Sequence, residues 1–337
     1  MSFGFKLESY QPHIMGERKI KSLSKIVLIG RKLKDNSRVV IKTSDQKEDK
    51  KKINQERKIR QELENISSIT KGLYIPKEIF YGQKGKFTFF ITEFINQDKI
   101  LVAHGLNDQF AMIKHAIEGQ ESLDLASFRK IKGKTCPVIT QNNYLGELIK
   151  HINFINNSYR DSELSNTLTA TRKIFKNNMV LIAKHCGYLV HDDFCPHNFR
   201  INSGKLYFID YTAAKFGNKY ETWARLLNYM TLHNPALDKK ITSYLKDNRS
   251  FEDVESLRLF RIYKTVFLIM YYIKTLNKTS GNLLKLTRIR INFWHNFLKK
   301  LLENKSISKA DLNRYRDQRD SLRSGDEKKR QKEFAVA

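Results

Sequence analysis

Two short apolar runs come first along the chain. Ile26-Val27-Leu28-Ile29-Gly30 and Arg38-Val39-Val40-Ile41-Lys42 flank the turn-forming Lys34-Asp35-Asn36-Ser37, which predicts a β-hairpin. Lys47 to Ile66 then has helical spacing: at about 100° per residue, Ile53, Ile59, Leu63 and Ile66 share one face. Glu56 falls within that face, Glu62 sits at its margin and Glu64 lies well away, so Glu56 is a carboxylate in need of a buried partner. Gly72 to Ile79 reads as a short connection or strand, and Phe87 to Ile95 as a buried strand running into a linker. Beyond Asn96 helical spacing dominates. Leu145, Leu148, Ile149, Ile152 and Ile155 recur on one face, and a longer helix is predicted from Asn166 to Tyr188 with Gly187 as its stop. Further helices begin at Tyr220 and span Asp253 to Leu276 and Leu283 to Leu302, with Trp294 in the core. From Ser306 onward, mixed charges with few apolar residues predict a helix-prone or disordered tail.

The stretch Leu189 to Tyr211, LVHDDFCPHNFRINSGKLYFIDY, carries the candidate chemistry. His191, Asp193 and Asn198 stand in a turn-like segment, and Asp210 closes the run Leu206-Tyr207-Phe208-Ile209, which lacks alternation as a strand buried on both sides does. Asn198 follows Asp193 by five positions, so a loop can fold back and turn both toward one cavity. Ser203-Gly204-Lys205 is a natural hairpin turn that would return Asp210 to the same place. Phosphoryl transfer from a nucleotide needs one carboxylate to accept the acceptor's proton, and an amide oxygen and a second carboxylate to hold Mg²⁺. Asp193 suits the first role, Asn198 and Asp210 the others.

His191-x-Asp193-x-x-x-x-Asn198 followed by Ile209-Asp210 resembles the catalytic core of the aminoglycoside phosphotransferase and choline kinase group, relatives of the eukaryotic protein kinases. The resemblance implies an α+β, two-lobed protein kinase-like fold: a small antiparallel-sheet N-lobe with one helix (1–95), a larger, mainly helical C-lobe with the catalytic loop and metal site (96–305), and a charged tail (306–337). It implies ATP and Mg²⁺ as cofactors. Lys42, at the end of its strand, would hold the α- and β-phosphates and pair with Glu56, with Glu62 in reserve. Glu93, Phe94 and Ile95 would form the interlobe hinge that contacts adenine. In the catalytic set, Asp193 would be the base and His191 a group that braces the loop by hydrogen bonding; Asn198 and Asp210 would be the metal ligands. Glu221, near the start of the next helix, is a candidate brace for the loop.

Three departures from that pattern stand out. Asp192 occupies a position that is commonly Gly in the phosphotransferases and Arg in protein kinases; it would either point outward or raise the pKa of Asp193 by like-charge repulsion. No GxGxxG is present, Gly16 and Gly30 are isolated, and Ser22 and Ser24 are candidates for a phosphate-holding turn. Tyr211-Thr212 stands where protein kinases have Phe-Gly, which favours the small-molecule branch.

Composition adds one further point. Lys and Arg number 62 against 35 Asp and Glu, a net charge of +27, which attracts polyanions. Between Arg258 and Lys305 the only acid is Glu303, so this is expected to be the most basic surface. A cationic acceptor would prefer an acidic pocket, so the charge favours a neutral or anionic small-molecule hydroxyl acceptor. One alternative is a weak or inactive kinase-like module that binds nucleic acid or an anionic membrane through 258–305; another is a protein kinase. The longest apolar run, Thr265 to Ile273, is too short for a membrane span, which needs about 18 residues, and the first residues lack an export signal's apolar core. Cys136, Cys186 and Cys195 form no CxxC pair and no metal-like cluster, and their odd count argues against a disulfide framework and for a reducing cytoplasm. Cys195 beside His191 or His197 lacks the remainder of a cysteine-nucleophile pattern.

Overall fold

Strand alternation in Arg38–Ser44 decides the architecture of the first third of the chain. Val39 and Ile41 point to one side of the sheet, where they pack with Phe5, Phe89 and Ile91; Lys42 points to the other, toward the helix that follows. In the computed structural model, which describes residues 4–9, 26–67, 72, 74–126, 136–325 and 327–328, this strand is β3 of a five-stranded antiparallel sheet. The strands are β1 (Phe5–Leu7), β2 (Ile26–Lys32), β3 (Arg38–Ser44), β4 (Glu78–Lys84) and β5 (Phe87–Glu93), in the order β1-β2-β3-β5-β4. Helix α1 (Lys47–Ser67) packs on β3 and β5. Its residues Ile53, Ile59 and Leu63 are fully buried, as is Glu56; the Ile66 side chain lies outside the described residues.

The second lobe is built from helices. They are α2 (Leu106–Glu121), α3 (Gln141–Ser158), α4 (Ser162–Asn177), α5 (Met179–Lys184), α6 (Tyr220–His233), α7 (Pro235–Asn248), α8 (Phe251–Thr275), α9 (Gly281–Leu302) and α10 (Lys309–Ser321). Between α5 and α6 the chain makes two short antiparallel ribbons, β6 (Tyr188–His191) with β9 (Ala214–Gly217), and β7 (Phe199–Asn202) with β8 (Lys205–Phe208). One continuous apolar core runs through this lobe and includes Trp223, Trp294 and the apolar face of α8. Among the described residues no helix is long and apolar enough to cross a membrane.

Several elements differ from the sequence expectation. Of Gly72 to Ile79, read as a short connection or strand, only the last two residues are strand: β4 begins at Glu78, which pairs with Thr92 next to the end of β5, and a tight turn with Gly85 at φ +55° joins the two strands. The helix expected from Asn166 to Tyr188 begins earlier, at Ser162, and breaks at Asn178, whose side-chain amide caps the Ile174 carbonyl at 2.8 Å. The tail contains a packed helix. Ser308 caps α10 by accepting from Asp311 N at 3.0 Å, and Leu312, Tyr315 and Arg319 bury one face, with the Tyr315 and Phe293 rings 4.2 Å apart. With only two large apolar residues in 13, the helix shows almost no hydrophobic period.

Leu312→Ala is expected to lower unfolding stability by about 2–4 kcal/mol in a urea titration, the usual cost of a truncated core leucine; a change near zero would mean that α10 does not dock.

Candidate active site

Lys42 Nζ contacts Glu56 Oε1 and also donates to the carbonyl of Ile209 at 3.1 Å. Both side chains are buried, at 6% and 0% exposure, so the ammonium gives up water for one carboxylate and one carbonyl. Since Ile209 immediately precedes Asp210, this contact ties the first lobe to the end of the hairpin. Arg60 Nη1 stands 3.8 Å from the same Glu56 oxygen. Glu62 is half-buried, and the partner Lys42 takes is Glu56.

Of the three positions expected to form the hinge, two have their amides occupied: Glu93 N bonds to Lys77 O at 3.0 Å and Phe94 N to Arg38 O at 3.3 Å. The Glu93 carboxylate accepts from Lys77 N at 2.8 Å, and Arg38 lies over the Phe94 ring at 4.1 Å. Among the described residues only the Ile95 amide of the three is left without a backbone acceptor. The linker beyond is fixed to the hairpin turn, with Asn202 Nδ2 donating to Asn96 O at 2.8 Å and Ser203 N to Asp98 Oδ2 at 2.9 Å. Gly30 lies inside β2, where an added Cβ would meet Lys6 O at 2.8 Å, so close approach of β1 explains it. Gly16, Ser22 and Ser24 lie outside the described residues.

Asp193, Asn198 and Asp210 converge through local bonds. Asn198 Nδ2 donates to Asp193 O at 2.8 Å and to Asp193 Oδ2 at 3.0 Å; neither bond uses its amide oxygen. The β7–β8 hairpin turns through Ser203 and Gly204, both at positive φ (51° and 71°), and Ile209 N then bonds to Asn198 O at 3.2 Å, which sets Asp210 beside Asn198. Asp210 Oδ1 accepts from Thr212 N at 3.1 Å and Thr212 Oγ1 at 2.5 Å. Leu206 and Phe208 are buried, whereas Tyr207 is half-covered by Tyr74, 5.5 Å away between ring centres; the strand thus has one closed face and one partly open face. His191 is a buried brace. Its Nε2–H donates to the Asp210 carbonyl, its ring lies 5.2 Å from Phe208 and 5.9 Å from Tyr211, and burial pushes its pKa down, so the imidazole is neutral.

Asp193 itself is held by Arg225, whose Nη2 lies 2.8 Å from Oδ1 and whose Nε lies 3.2 Å away. Burial pushes the Asp193 carboxyl up, but the His197 hydrogen bond (Nε2 to Oδ2, 3.4 Å), the Arg225 guanidinium and the Cys195 thiol outweigh it and hold the group well below the usual carboxylate range. Asp192 neither faces solvent alone nor raises its neighbour. It contacts Lys264 Nζ and lies 3.3 Å from Lys215 Nζ. Both lysines also bind Glu221 Oε1, Lys264 at 2.5 Å and Lys215 at 2.9 Å, and Tyr144 donates its hydroxyl to Glu221 Oε2 at 2.5 Å. Burial pushes the Lys264 ammonium down, and the two carboxylates touching it oppose that shift. Glu221, fully buried, thus reaches the loop through lysines.

Cys195, expected to have no metal-like neighbours, has its Sγ together with ligand atoms of Asp193 and His197 within 4.8 Å of one another. Its thiol donates to Asp193 Oδ1 at 3.2 Å, and burial holds it well above the usual thiol range, so it is an unreactive hydrogen-bond donor beside a guanidinium. Arg225, Lys215 and Tyr144 escaped sequence reasoning; nothing local marks them. Lys264 escaped too: it borders the longest apolar run, but so does Lys274, which is exposed. The stretch 258–305 also turns several cations inward: Lys264 as above, Arg258 onto Glu255 at 2.5 Å and Leu301 O at 2.8 Å, and Arg261 onto Asn228 Oδ1 at 3.1 Å and Thr231 Oγ1 at 2.9 Å.

No family model matches the chain, and no curated protein matches it in sequence. Solved structures match its fold. A thermostable mutant of aminoglycoside phosphotransferase APH(4)-Ia, in a ternary complex with ADP and hygromycin B, is similar over 85% of this chain and 92% of its own, at TM-score 0.57 and 12% identity. ADP-bound aminoglycoside phosphotransferase APH(2'')-Ib is similar over 89% and 92%, at 0.55 and 12%. Macrolide 2'-phosphotransferase MphH from Brachybacterium faecium is similar over 87% and 93%, at 0.53 and 9%. The chain therefore has the two-lobed, protein kinase-like fold that these aminoglycoside and macrolide phosphotransferases share.

Proposed function

We propose that the protein transfers the γ-phosphoryl group of ATP to a hydroxyl of a small molecule in a Mg²⁺-dependent reaction. The observation that carries this reading is the contact of Lys42, paired with Glu56, on the carbonyl of Ile209. It sets a buried first-lobe cation one residue from Asp210, while Asn198 and Asp193 are joined to the same hairpin. Structural neighbours solved with ADP support the nucleotide.

In this reading Lys42 holds nucleotide phosphates and Glu56 holds Lys42. Asp193, kept ionised by Arg225 and His197, orients the acceptor hydroxyl and takes its proton as the new O–P bond forms and the β–γ bridge breaks to release ADP. Asn198 and Asp210 offer an amide oxygen and a carboxylate, an all-oxygen set that suits a hard cation. Bound there, Mg²⁺ would neutralise phosphate charge. Ile95 is the hinge amide open to a purine, and His191 keeps the Asp210 main chain in place.

In calorimetry, Mg²⁺ is expected to tighten ATP binding to the wild type, and Asp210→Ala to remove that gain; equal Mg²⁺ dependence in the variant would refute the metal assignment. Asp193→Asn is expected to cut turnover by about 10²–10⁴-fold while ATP affinity stays within about twofold. Undiminished turnover in that variant would remove Asp193 from the mechanism.

A further inference from the structure

The cations of the 258–305 stretch fall into two sets. Arg258, Arg261 and Lys264 turn inward, Lys299, Lys300 and Lys305 reach Glu163 or Glu303, and Arg290 lies over the Tyr272 ring at 5.3 Å. Lys274, Lys278, Lys285 and Arg288 remain. All of these are exposed, and among the described residues none of them has a carboxylate at ion-pair distance.

The unpaired set stands together. Helices α8 and α9 lie antiparallel, with Arg258 on Leu301 O, Arg261 over the Phe297 ring and Tyr272 under Arg290, and a single 3₁₀ turn, Leu276–Lys278, leads from one to the other. The last turns of α8 and the first turns of α9 therefore form one tip. The same end of the pair exposes large apolar side chains: Phe267 at 42%, Tyr271 at 51% and Leu283 at 48%. Phe267, Tyr271 and Lys274 are four and three positions apart and share a face of α8; Lys285 and Arg288, three apart, share a face of α9. Between Arg258 and Lys305 the only acid is Glu303, at the opposite end of α9.

An exposed lysine or leucine standing alone calls for no explanation. Unpaired cations interleaved with apolar side chains, in a stretch free of carboxylates, have the chemistry of a helix end that rests among anionic headgroups. We propose that the α8–α9 tip docks the protein on an anionic membrane surface. Lys274, Lys278, Lys285 and Arg288 meet the lipid phosphates and carboxylates, Tyr271 and Leu283 enter the headgroup layer, and Phe267 flanks them on α8. The contact is peripheral, since among the described residues no helix is long and apolar enough to cross a membrane. A second copy of the chain fits poorly, because pairing this patch with itself sets cation against cation. A nucleic-acid strand is met by a groove with stacking aromatics, and a helical tip offers no groove. None of the residues given a catalytic role lies in the tip, so the docking surface stands or falls apart from the phosphotransferase reading.

The test is sedimentation of the full-length protein with vesicles of equal parts phosphatidylserine and phosphatidylcholine, beside vesicles of phosphatidylcholine alone. Wild type is expected to sediment with the anionic vesicles only. Each cation near an anionic leaflet strengthens binding about fivefold, so Lys274→Gln with Lys278→Gln is expected to weaken it by about twentyfold. Lys51→Gln with Lys52→Gln removes the same charge from exposed positions on α1 and is expected to stay within about twofold. Tyr271→Ser is expected to weaken binding at low and high salt alike, whereas the loss in the tip lysine variant shrinks as salt rises. The proposal is overturned if wild type sediments with neither vesicle, if the α1 variant loses as much as the tip variant, or if single-stranded RNA binds while anionic vesicles do not.

Discussion

One buried ammonium anchors the junction of the two lobes. Lys42 lies where water cannot solvate it, and its charge is met by Glu56 from α1 and by the Ile209 carbonyl from the hairpin of the other lobe. Removing one partner from a buried pair of this kind typically costs about 3–5 kcal/mol, since the survivor stays desolvated and uncompensated. The position of α1 on the sheet and the approach of the hairpin are therefore coupled through one side chain. Alternation in β3 points Lys42 at α1, and the helical period of α1 brings Glu56 to meet it.

A second charge cluster sits beneath the loop that carries Asp192 and Asp193. Asp192, Lys264, Lys215 and Glu221 form a closed set with Tyr144 as an additional donor, and it joins the loop to β9, α3, α6 and α8. The two adjacent aspartates thereby acquire different environments. Asp192 is neutralised by lysines and faces the helices, while Asp193 is directed by Arg225 and Asn198. Close packing enforces the arrangement at Gly217, where an added Cβ would lie 2.2 Å from the Tyr144 hydroxyl.

Charge is consequently not a uniform coat on this molecule. Several cations of the 258–305 stretch serve as internal ligands for carbonyls and carboxylates. The arginines least provided for stand together on and after α10, beyond the end of α6. The surplus of +27 is thus a poor guide to any one surface. Local pairing decides where a positive field remains.

The sequence by itself determined whatever depends on neighbours within a few tens of residues. The β2–β3 and β7–β8 hairpins, the placement of Glu56 on the apolar face of α1, and the return of Asp210 toward Asn198 all follow from period, turn chemistry and short spacing. Only the tertiary structure decided which distant charges would meet. Arg225 lies 32 positions from Asp193 and Lys264 72 positions from Asp192, and no local pattern ranks one arginine or lysine above another for such a contact. The docking of α10, within a tail expected to be helix-prone or disordered, escaped for a related reason. Its docking rests on Leu312, Tyr315 and the partly polar Arg319, a face too weakly apolar to show a period, and burial against α9 supplies what propensity alone does not.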